Sequence, residues 1–336
     1  MTYNLFKASD ARDRCAIVLA GGDGVRLRPF VQKLRGDELP KQYVKLLSGQ
    51  SMLEATLQRT RKLVPSTRQF VVVTERHFDY LEVARQLASY PGIQVHSQPC
   101  NRGTGMGLLL SLAQVHRRHP ESIIVIFPSD HFIREEDLFL THVDAACRLV
   151  EQNDSNIVLL GIVPNAPETE YGYILASRRW HIAFPFGARE VARFIEKPDP
   201  ILARKLMLQG GFWNTMVIVF KTKTLLAHIR AISPLIYLGF QRICGAVGGQ
   251  NFGNVVKQVF AESQPLNLSK GLLEVLAVQR KRSLLVLPVR GVHWCDWGSE
   301  ERIINTLAHT NRCRFGLEPS GRLFDALLRG KAAGCA

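Results

Sequence analysis

Six short apolar runs, rich in β-branched residues, recur along the 336-residue chain and constrain its fold more than any other feature. They are CAIVLA (15–20), QFVVVT (69–74), SIIVIF (122–127), NIVLLGI (156–162), MVIVF (216–220) and SLLVLPV (283–289). Runs without polar alternation are typical of strands that are covered on both faces, as in parallel sheets flanked by helices. The pattern therefore predicts a Rossmann-like α/β fold with a mostly parallel sheet.

Segments with helical periodicity separate the first of these runs, at 52–64, 78–90 and 107–119. This alternation predicts repeated strand–helix–strand units. Beyond about residue 160 the regularity weakens, and we expect further strands in GYILAS (172–177) and VARFIEK (191–197), then a helix in PDPILARKLMLQGG (198–211). These segments predict a small insertion built onto the sheet. In the C-terminal tail, DALLR predicts one short helix.

The charge balance favours an anionic partner, because 43 Lys and Arg against 29 Asp and Glu give a formal charge of +14. The seven cysteines form no CxxC pair, which is typical of free thiols in a reducing compartment. The first residues contain no apolar stretch of the kind found in signal peptides, and no run approaches the length of a membrane span. We therefore expect a cytoplasmic protein that makes no membrane contact.

The turn LAGGDGVRLRP (19–29) directly follows the first apolar run. Glycines permit unusual dihedral angles and let backbone N–H groups approach a phosphate closely, so this turn is a candidate anion cradle. Two common phosphate motifs are absent: there is no GxxxxGK[ST], and GxGxxG fails at Leu27. Taken alone, the turn fits an ordinary glycine turn with two solvated arginines equally well.

Further motifs follow in order along the chain: PKQY (40–43), SQPCNRGTG (97–105), PSDH (128–131), EYGYI (170–174), FIEKPD (194–199), WNTMVIVF (213–220) and WCDWGS (294–299). Together with the glycine turn, this ordered set resembles the sugar-1-phosphate nucleotidyltransferases over roughly residues 15 to 308, and most closely those that make GDP-mannose. The resemblance implies a glycosyltransferase-A-like fold in one domain over residues 1–310. Its nucleotide-binding part is expected at about 15–160 and its sugar-binding part at about 161–310, with a C-terminal tail at 311–336.

The reaction of the family is attack by a sugar-1-phosphate oxygen on the α-phosphorus of a nucleoside triphosphate, which releases pyrophosphate. Two polyanions must meet, so the site needs cations that offset their repulsion. The resemblance implies that Arg26 grips the triphosphate and that Lys41 contacts phosphate near the reacting centre. GTP and α-D-mannose 1-phosphate are the expected substrates, with another sugar or base as the alternative.

The resemblance also implies the remaining site residues. Asp130 follows SIIVIFPS at the carboxyl end of a predicted strand, where open α/β sheets bind ligands, and it is expected to be catalytic and to bind Mg²⁺ together with Asp296. The residues expected to bind nucleotide are Leu19, Gly21, Gly22, Gly24, Arg26, Asn101, Arg102, Gly103 and Thr104. Those expected to bind the sugar phosphate are Gly172, Glu196, Lys197 and Asn214.

Simpler interpretations of these residues stay open at this point. Asp130 could cap a helix, Asp296 could be a turn carboxylate, and the EKP segment (196–198) could be an exposed strand end before a helix. Zinc is not expected at His293 and Cys295, because no second ligand pair follows at zinc-finger spacing.

Two departures from the family pattern motivate a second hypothesis. Thr215 and Met216 stand in place of a smaller WNSG-type sequence, and Gly271 lies where many relatives carry an acidic residue. A catalytically weak paralogue that binds nucleotide sugars and acts in regulation is therefore an alternative. Nucleic acid is not an expected partner, because the positive charge is distributed and no RNP-like, zinc-finger or helix-turn-helix signature occurs. The expected partners are small molecules, and self-association into a homo-oligomer stays open.

Overall fold

The apolar runs form the strands of one twisted sheet. The computed structural model describes residues 14–46, 49–177, 184–279 and 282–311, with side chains to residue 306. Within these ranges nine strands share the sheet: β1 (Arg14–Leu19), β2 (Gln69–Thr74), β3 (Gln94–Gln98), β4 (Ile123–Pro128), β6 (Ile157–Ile162), β7 (Gly172–Ala176), β8 (Arg189–Glu196), β9 (Phe212–Lys221) and β10 (Leu284–Val289). Two short strands, β5 (Phe132–Ile133) and β11 (Trp294–Cys295), pair separately.

The strand order is β3-β2-β1-β4-β9-β6-β10-β8-β7, and β7 also pairs with β9. Strands β1 to β4 are parallel to one another, as the apolar runs predicted. Beyond them the sheet is mixed, because β9 runs antiparallel to both β4 and β6, while β6 and β10 are parallel. The predicted α/β fold is confirmed, with its parallel character concentrated in the N-terminal half.

Helices cover both faces of the sheet. They are α1 (Arg28–Arg35), α2 (Met52–Arg61), α3 (Leu81–Ala88), α4 (Thr104–Arg118), α5 (Glu136–Gln152), α6 (Pro200–Leu208), α7 (Thr222–Ile232), α8 (Pro234–Ala246), α9 (Phe252–Glu262), α10 (Glu274–Val278) and α11 (Glu300–Asn311). Successive residues of β1 alternate between two apolar cores: Ala16 and Val18 pack on one side, Cys15 and Ile17 on the other. This double coverage explains why the strands carry no polar alternation.

The helices predicted at 52–64, 78–90, 107–119 and 198–211 are present as α2, α3, α4 and α6, with ends shifted by a few residues. Helix α6 begins where Asp199 accepts a hydrogen bond from Leu202 N and Pro200 fills the first position. The predicted DALLR helix lies outside the described residues. Within the described residues, no helix combines the length and apolar character that crossing a membrane requires.

The topology brings the sequence motifs to one edge of the sheet. The glycine turn follows the end of β1, and the PSDH segment spans the end of the neighbouring strand β4. The start of β9 lies beside the end of β6, since Asn214 pairs with Gly161 and Trp213 with Ile162. Trp213 also pairs with Tyr173 of β7, which joins the predicted sugar motifs to the same edge.

A buried ion pair fastens β1 to α5 at the opposite end of the sheet. Arg14 Nη1 lies 2.6 Å from Asp144 Oδ1, and Nη2 lies 3.0 Å from Glu151 Oε1, with the Arg14 side chain 1% exposed. Arg148 Nε approaches the other oxygen of Asp144 at 2.9 Å, but its side chain is 50% exposed.

We expect Arg14→Ala to lower the free energy of unfolding by about 3 kcal/mol, because it leaves a buried carboxylate without its enclosed partner. The matched control Arg148→Ala removes an exposed partner of the same carboxylate and should cost less than about 1 kcal/mol. Urea denaturation of both variants measures the difference. Equal losses would contradict the assigned role of burial.

Candidate active site

The glycine loop after β1 turns its carbonyl groups toward the protein. Gln42 Nε2 donates to the carbonyls of Ala20 (2.8 Å) and Gly22 (2.7 Å), and Thr74 Oγ1 donates to that of Gly21 (2.8 Å). The backbone N–H groups of residues 21–24 have no backbone acceptor within the described part of the chain. A row of free N–H groups on a loop is suited to bind an anion.

Two glycines are required by the local backbone. Gly24 ends the loop with φ +60°, and Gly103 begins α4 with φ +84°, both in the left-handed region. A Cβ on Gly103 would also lie 2.5 Å from the Leu266 carbonyl oxygen. Both positions therefore favour glycine, and they let the glycine loop pack against Lys41 and the start of α4 pack against Leu266.

An open cleft runs along this edge of the sheet. Most of the residues predicted to bind nucleotide line it: Leu19, Gly21, Gly22, Asn101, Gly103 and Thr104. Gly24 and Arg26 line an adjoining cleft together with Lys41 and Asp130, and Asp130 borders both. Arg102 lies outside these linings and donates from Nε to the Phe260 carbonyl at 3.1 Å.

Asp23 joins the loops that border the cleft. Its carboxylate is paired with the Arg76 guanidinium and accepts a hydrogen bond from Asn101 Nδ2 at 3.2 Å. Burial opposes ionisation of this carboxylate, but the hydrogen bond and charge of Arg76 hold its pKa below the ordinary value. Asn101 in turn accepts from the Gly103 N–H at 3.0 Å, so one chain of contacts fixes both loops.

Lys41 lies where the two predicted metal ligands meet. Its Nζ is 3.0 Å from Asp130 Oδ2, 2.8 Å from the Asp296 carbonyl oxygen and 3.0 Å from the Trp297 carbonyl oxygen. Burial opposes ionisation of Asp130, and the nearby Lys41 charge nevertheless holds the pKa of this carboxyl below its ordinary value. Two residues that are far apart in sequence are thus joined by a single ammonium group.

Asp296 is oriented through one of its two oxygens. Oδ1 accepts hydrogen bonds from Tyr171 Oη (3.0 Å), Gly298 N (2.9 Å) and Arg302 Nη1 (2.9 Å). Burial disfavours the charged form, but Lys41 and Arg302 hold the pKa of Asp296 below its usual range. Oδ2 receives no hydrogen bond from any described residue, which leaves an ionised oxygen available to a ligand.

The donor set is suited to a hard cation only in part. Within the described residues, no group of three or more His, Cys, Asp or Glu side chains is placed to hold a metal ion. Asp130 and Asp296 could therefore supply two carboxylates, with phosphate and water oxygens completing the coordination, as Mg²⁺ prefers. His293 and Cys295 likewise belong to no such group among the described residues.

The predicted sugar residues meet across paired strands. Gly172 is in register with Glu196, and a Cβ at Gly172 would lie 2.6 Å from Glu196 Oε2. The Glu196 backbone N–H donates to Glu274 Oε1 at 2.7 Å. Burial raises the pKa of the Glu196 carboxyl, although Ser269 opposes the shift through a hydrogen bond. A Cβ at Gly271 would lie 3.0 Å from Leu266 Cδ1 and not at Glu196. In this segment Ser269 is the residue that contacts the Glu196 carboxyl.

One exposed carboxylate joins the two sets of residues. Lys197 Nζ lies 3.2 Å from Glu170 Oε2, and the same oxygen pairs with Arg26 Nη1. Lys197 also has a positive φ of 50°, and its N–H donates to the Tyr171 carbonyl oxygen at 3.2 Å. The cation predicted for the triphosphate and the cation predicted for the sugar phosphate are therefore held by one acidic side chain.

Comparison with known proteins identifies the family of this chain. Residues 15–312 match the sequence profile described as nucleotidyl transferase. The chain belongs to this family. Relatives include the xanthan biosynthesis protein XanB of Xanthomonas campestris pv. campestris, which is 30% identical over 87% of this chain and 59% of its own length. The mannose-1-phosphate guanylyltransferase of Escherichia coli K12 is 30% identical over 88% of this chain and 60% of its own length.

A solved structure described as mannose-1-phosphate geranyltransferase from Thermus thermophilus has a TM-score of 0.71. It is 27% identical, and the match covers 85% of this chain and 76% of that one. Together with the family match, it confirms the predicted glycosyltransferase-A-like α/β fold. The chain spans about 60% of the length of the curated relatives it matches.

Several residues of the site were not selected from the sequence. Gln42 lies in the PKQY motif and His131 in the PSDH motif. The only sequence feature that could have selected them is their position next to Lys41 and Asp130. His131 Nδ1 lies 3.3 Å from the Trp294 indole nitrogen, and its Nε2 faces Asp130 Oδ1 at 3.7 Å. Arg302 and Ser269 lie outside the motifs, and only their contacts in the fold reveal them.

The raised pKa of Glu196 predicts a pH-dependent effect on stability. A carboxyl whose pKa in the folded protein exceeds the value of 4.5 expected when unfolded stabilises the fold below that pH, and this contribution is lost as the pH rises through the folded pKa. The free energy of unfolding of Glu196→Gln should therefore equal that of the wild type at about pH 4 and exceed it at about pH 7. Urea denaturation at both pH values measures this, and a Gln variant that is less stable at the higher pH would contradict it.

Proposed function

We propose that this chain transfers a nucleotidyl group from a nucleoside triphosphate to a sugar 1-phosphate and releases pyrophosphate. GTP and α-D-mannose 1-phosphate are the proposed substrates, which the names of the Escherichia coli relatives support. The observation that carries the proposal is the position of Lys41, whose ammonium group contacts Asp130 between the glycine-loop clefts and Asp296 beside the sugar motifs. The proposed nucleotide part covers about residues 15–160 and the sugar part about 161–310.

The two phosphates would meet beside this lysine. The free N–H groups of the glycine loop and Arg26 are placed to bind the triphosphate, and Lys197 is placed to bind the sugar phosphate. Lys41 offsets the repulsion between the two anions at the point of attack, and because it is held by three oxygens it needs little reorganisation. The attacking oxygen and the leaving pyrophosphate are then aligned across the α-phosphorus.

Asp130 and Asp296 would hold a magnesium ion. Both pKa values lie below the ordinary range, and the free Oδ2 of Asp296 fits a hard cation. The chemistry that a bound Mg²⁺ supplies is neutralisation of phosphate charge and orientation of the reacting oxygens. Tyr171 and Arg302 keep the Asp296 carboxylate in place for this role.

Pyrophosphate release by the full chain tests the proposal, with Mg²⁺, each nucleoside triphosphate and a panel of sugar 1-phosphates. Asp130→Asn should lower kcat by about 100-fold or more, since it removes a charge at the reacting centre. Arg28→Ala is the control, because Arg28 lines a separate pocket with Glu38 and should leave turnover unchanged. No release with any pair, despite binding of a nucleotide sugar, would favour the regulatory alternative. Equal turnover of Asp130→Asn and wild type would contradict the assigned site.

Glu170 must release both cations before phosphates can bind them. Glu170→Gln should therefore lower the KM for the triphosphate and the sugar phosphate by about twofold to fivefold, the range expected for exposed ion pairs. The effect should shrink at high salt, because screening weakens the competing carboxylate. Glu38→Gln removes an exposed carboxylate outside the two clefts and serves as the control. A KM that is unchanged or higher in Glu170→Gln would argue against this competition.

A further inference from the structure

Met216 has a backbone conformation that its side chain disfavours. Its φ is 56°, in the left-handed region that residues with a Cβ rarely adopt. The residue lies in β9 where the register with β6 shifts, between the pairs Leu159–Ile218 and Gly161–Asn214. Such bulges re-aim side chains, and this one places Met216 in the lining of the main cleft. A strained residue at a binding cleft indicates a functional constraint.

The Met216 sulfur contacts two polar side chains, although the residue also packs against an apolar core. Asn214 Nδ2 lies 3.0 Å from Sδ and Ser269 Oγ lies 3.3 Å from it. Both of these residues are buried, with 5% and 3% of their surface exposed. Ser269 also reaches the Glu196 carboxylate, so the sulfur stands within a group of polar side chains. A thioether is a weak acceptor, so it satisfies the Asn214 amide donor poorly.

Asn214 is held in this arrangement through both ends of its amide. Its Oδ1 accepts from the Met216 N–H at 3.1 Å, while its Nδ2 points at the sulfur. Thr215 Oγ1 donates to the Leu160 carbonyl at 2.8 Å and fixes the bulge between them. Asn214 Nδ2 and Ser269 Oγ thus converge on one point. A buried amide donor beside a buried hydroxyl oxygen is an arrangement that would recognise a sugar hydroxyl, which can accept from the first and donate to the second.

We propose that the Met216 side chain occupies a sugar-hydroxyl subsite formed by Asn214 and Ser269, and thereby makes this enzyme indifferent to one hydroxyl of its sugar. The inference rests on the proposed function and deepens it, because it names a specificity-determining residue of the same site. With the sulfur in place, the hydroxyl at that ring position has no partner. With the sulfur removed, Asn214 Nδ2 can donate to that hydroxyl and Ser269 Oγ can accept from it.

Monodeoxy analogues of α-D-mannose 1-phosphate, each lacking one ring hydroxyl, test the inference on the full chain with GTP and Mg²⁺. We expect wild type to use one analogue with nearly the same kcat/KM as the parent sugar. Met216→Ala keeps the Cβ and the backbone but opens the subsite. In this variant kcat/KM for the parent sugar should become about tenfold higher than kcat/KM for that analogue, which is the scale of one hydrogen bond. Met216→Leu, which keeps the volume without the sulfur, should retain the hydroxyl preferences of wild type.

The outcomes separate the two proposals. If wild type turns over the sugar but Met216→Ala leaves every hydroxyl preference unchanged, the subsite is overturned and the proposed function stands. If wild type neither turns over nor binds any sugar 1-phosphate by calorimetry, the proposed function falls and the subsite falls with it. Should Met216→Ala not fold, Met216→Gly provides the same opening, and its backbone suits the positive φ.

Discussion

The rest of the site depends on the contacts of the Lys41 ammonium group. It lies 3.0 Å from Asp130 Oδ2 and 2.8 Å from the Asp296 carbonyl oxygen, and so joins parts of the chain that are more than a hundred residues apart. Without this cation, Asp130 would face the buried Asp296 segment as an uncompensated charge. The lysine lies next to a loop whose carbonyls Gln42 ties inward, so the PKQY segment organises both the loop and the carboxylates.

The carboxyl groups of the site lie in two different electrostatic environments. Lys41 favours ionisation of Asp130 and Asp296, whereas burial disfavours ionisation of Glu196. The proposed function would use both kinds of environment, a cationic one at the phosphates and a neutral or hydrogen-bonding one at the sugar hydroxyls. The fold places both along one edge of the sheet, where the exposed Glu170 carboxylate pairs with the side chains of Arg26 and Lys197.

Much of the fold could be predicted because buried strands have a strong sequence signature. The six apolar runs became strands, but the antiparallel direction of β9 could not be predicted, because apolar periodicity does not distinguish an antiparallel strand from a parallel one. Strand β3 was missed, since QVHSQ is half-exposed at the edge and lacks an apolar run.

The candidate site could be predicted where ordered motifs carry it, as for Asp130 and Asp296. Arg302 and Ser269 could not, because their roles arise only from tertiary contacts with Asp296 and Glu196. Arg102 stands in a motif, yet its side chain bonds to Phe260 outside the cleft linings, which a motif cannot reveal. The assignment of function to each of these residues stays a prediction.

Strand β9 pairs with β4, β6 and β7, so a single strand is shared by the proposed nucleotide part and the proposed sugar part. Its bulge lies at the boundary, with regular pairing to β4 on one side and the β7 contact on the other. The two halves cannot move relative to one another without bending the chain at this point. A change at the bulge would therefore disturb strand pairing on both sides of it, so the few residues around it belong structurally to both parts at once.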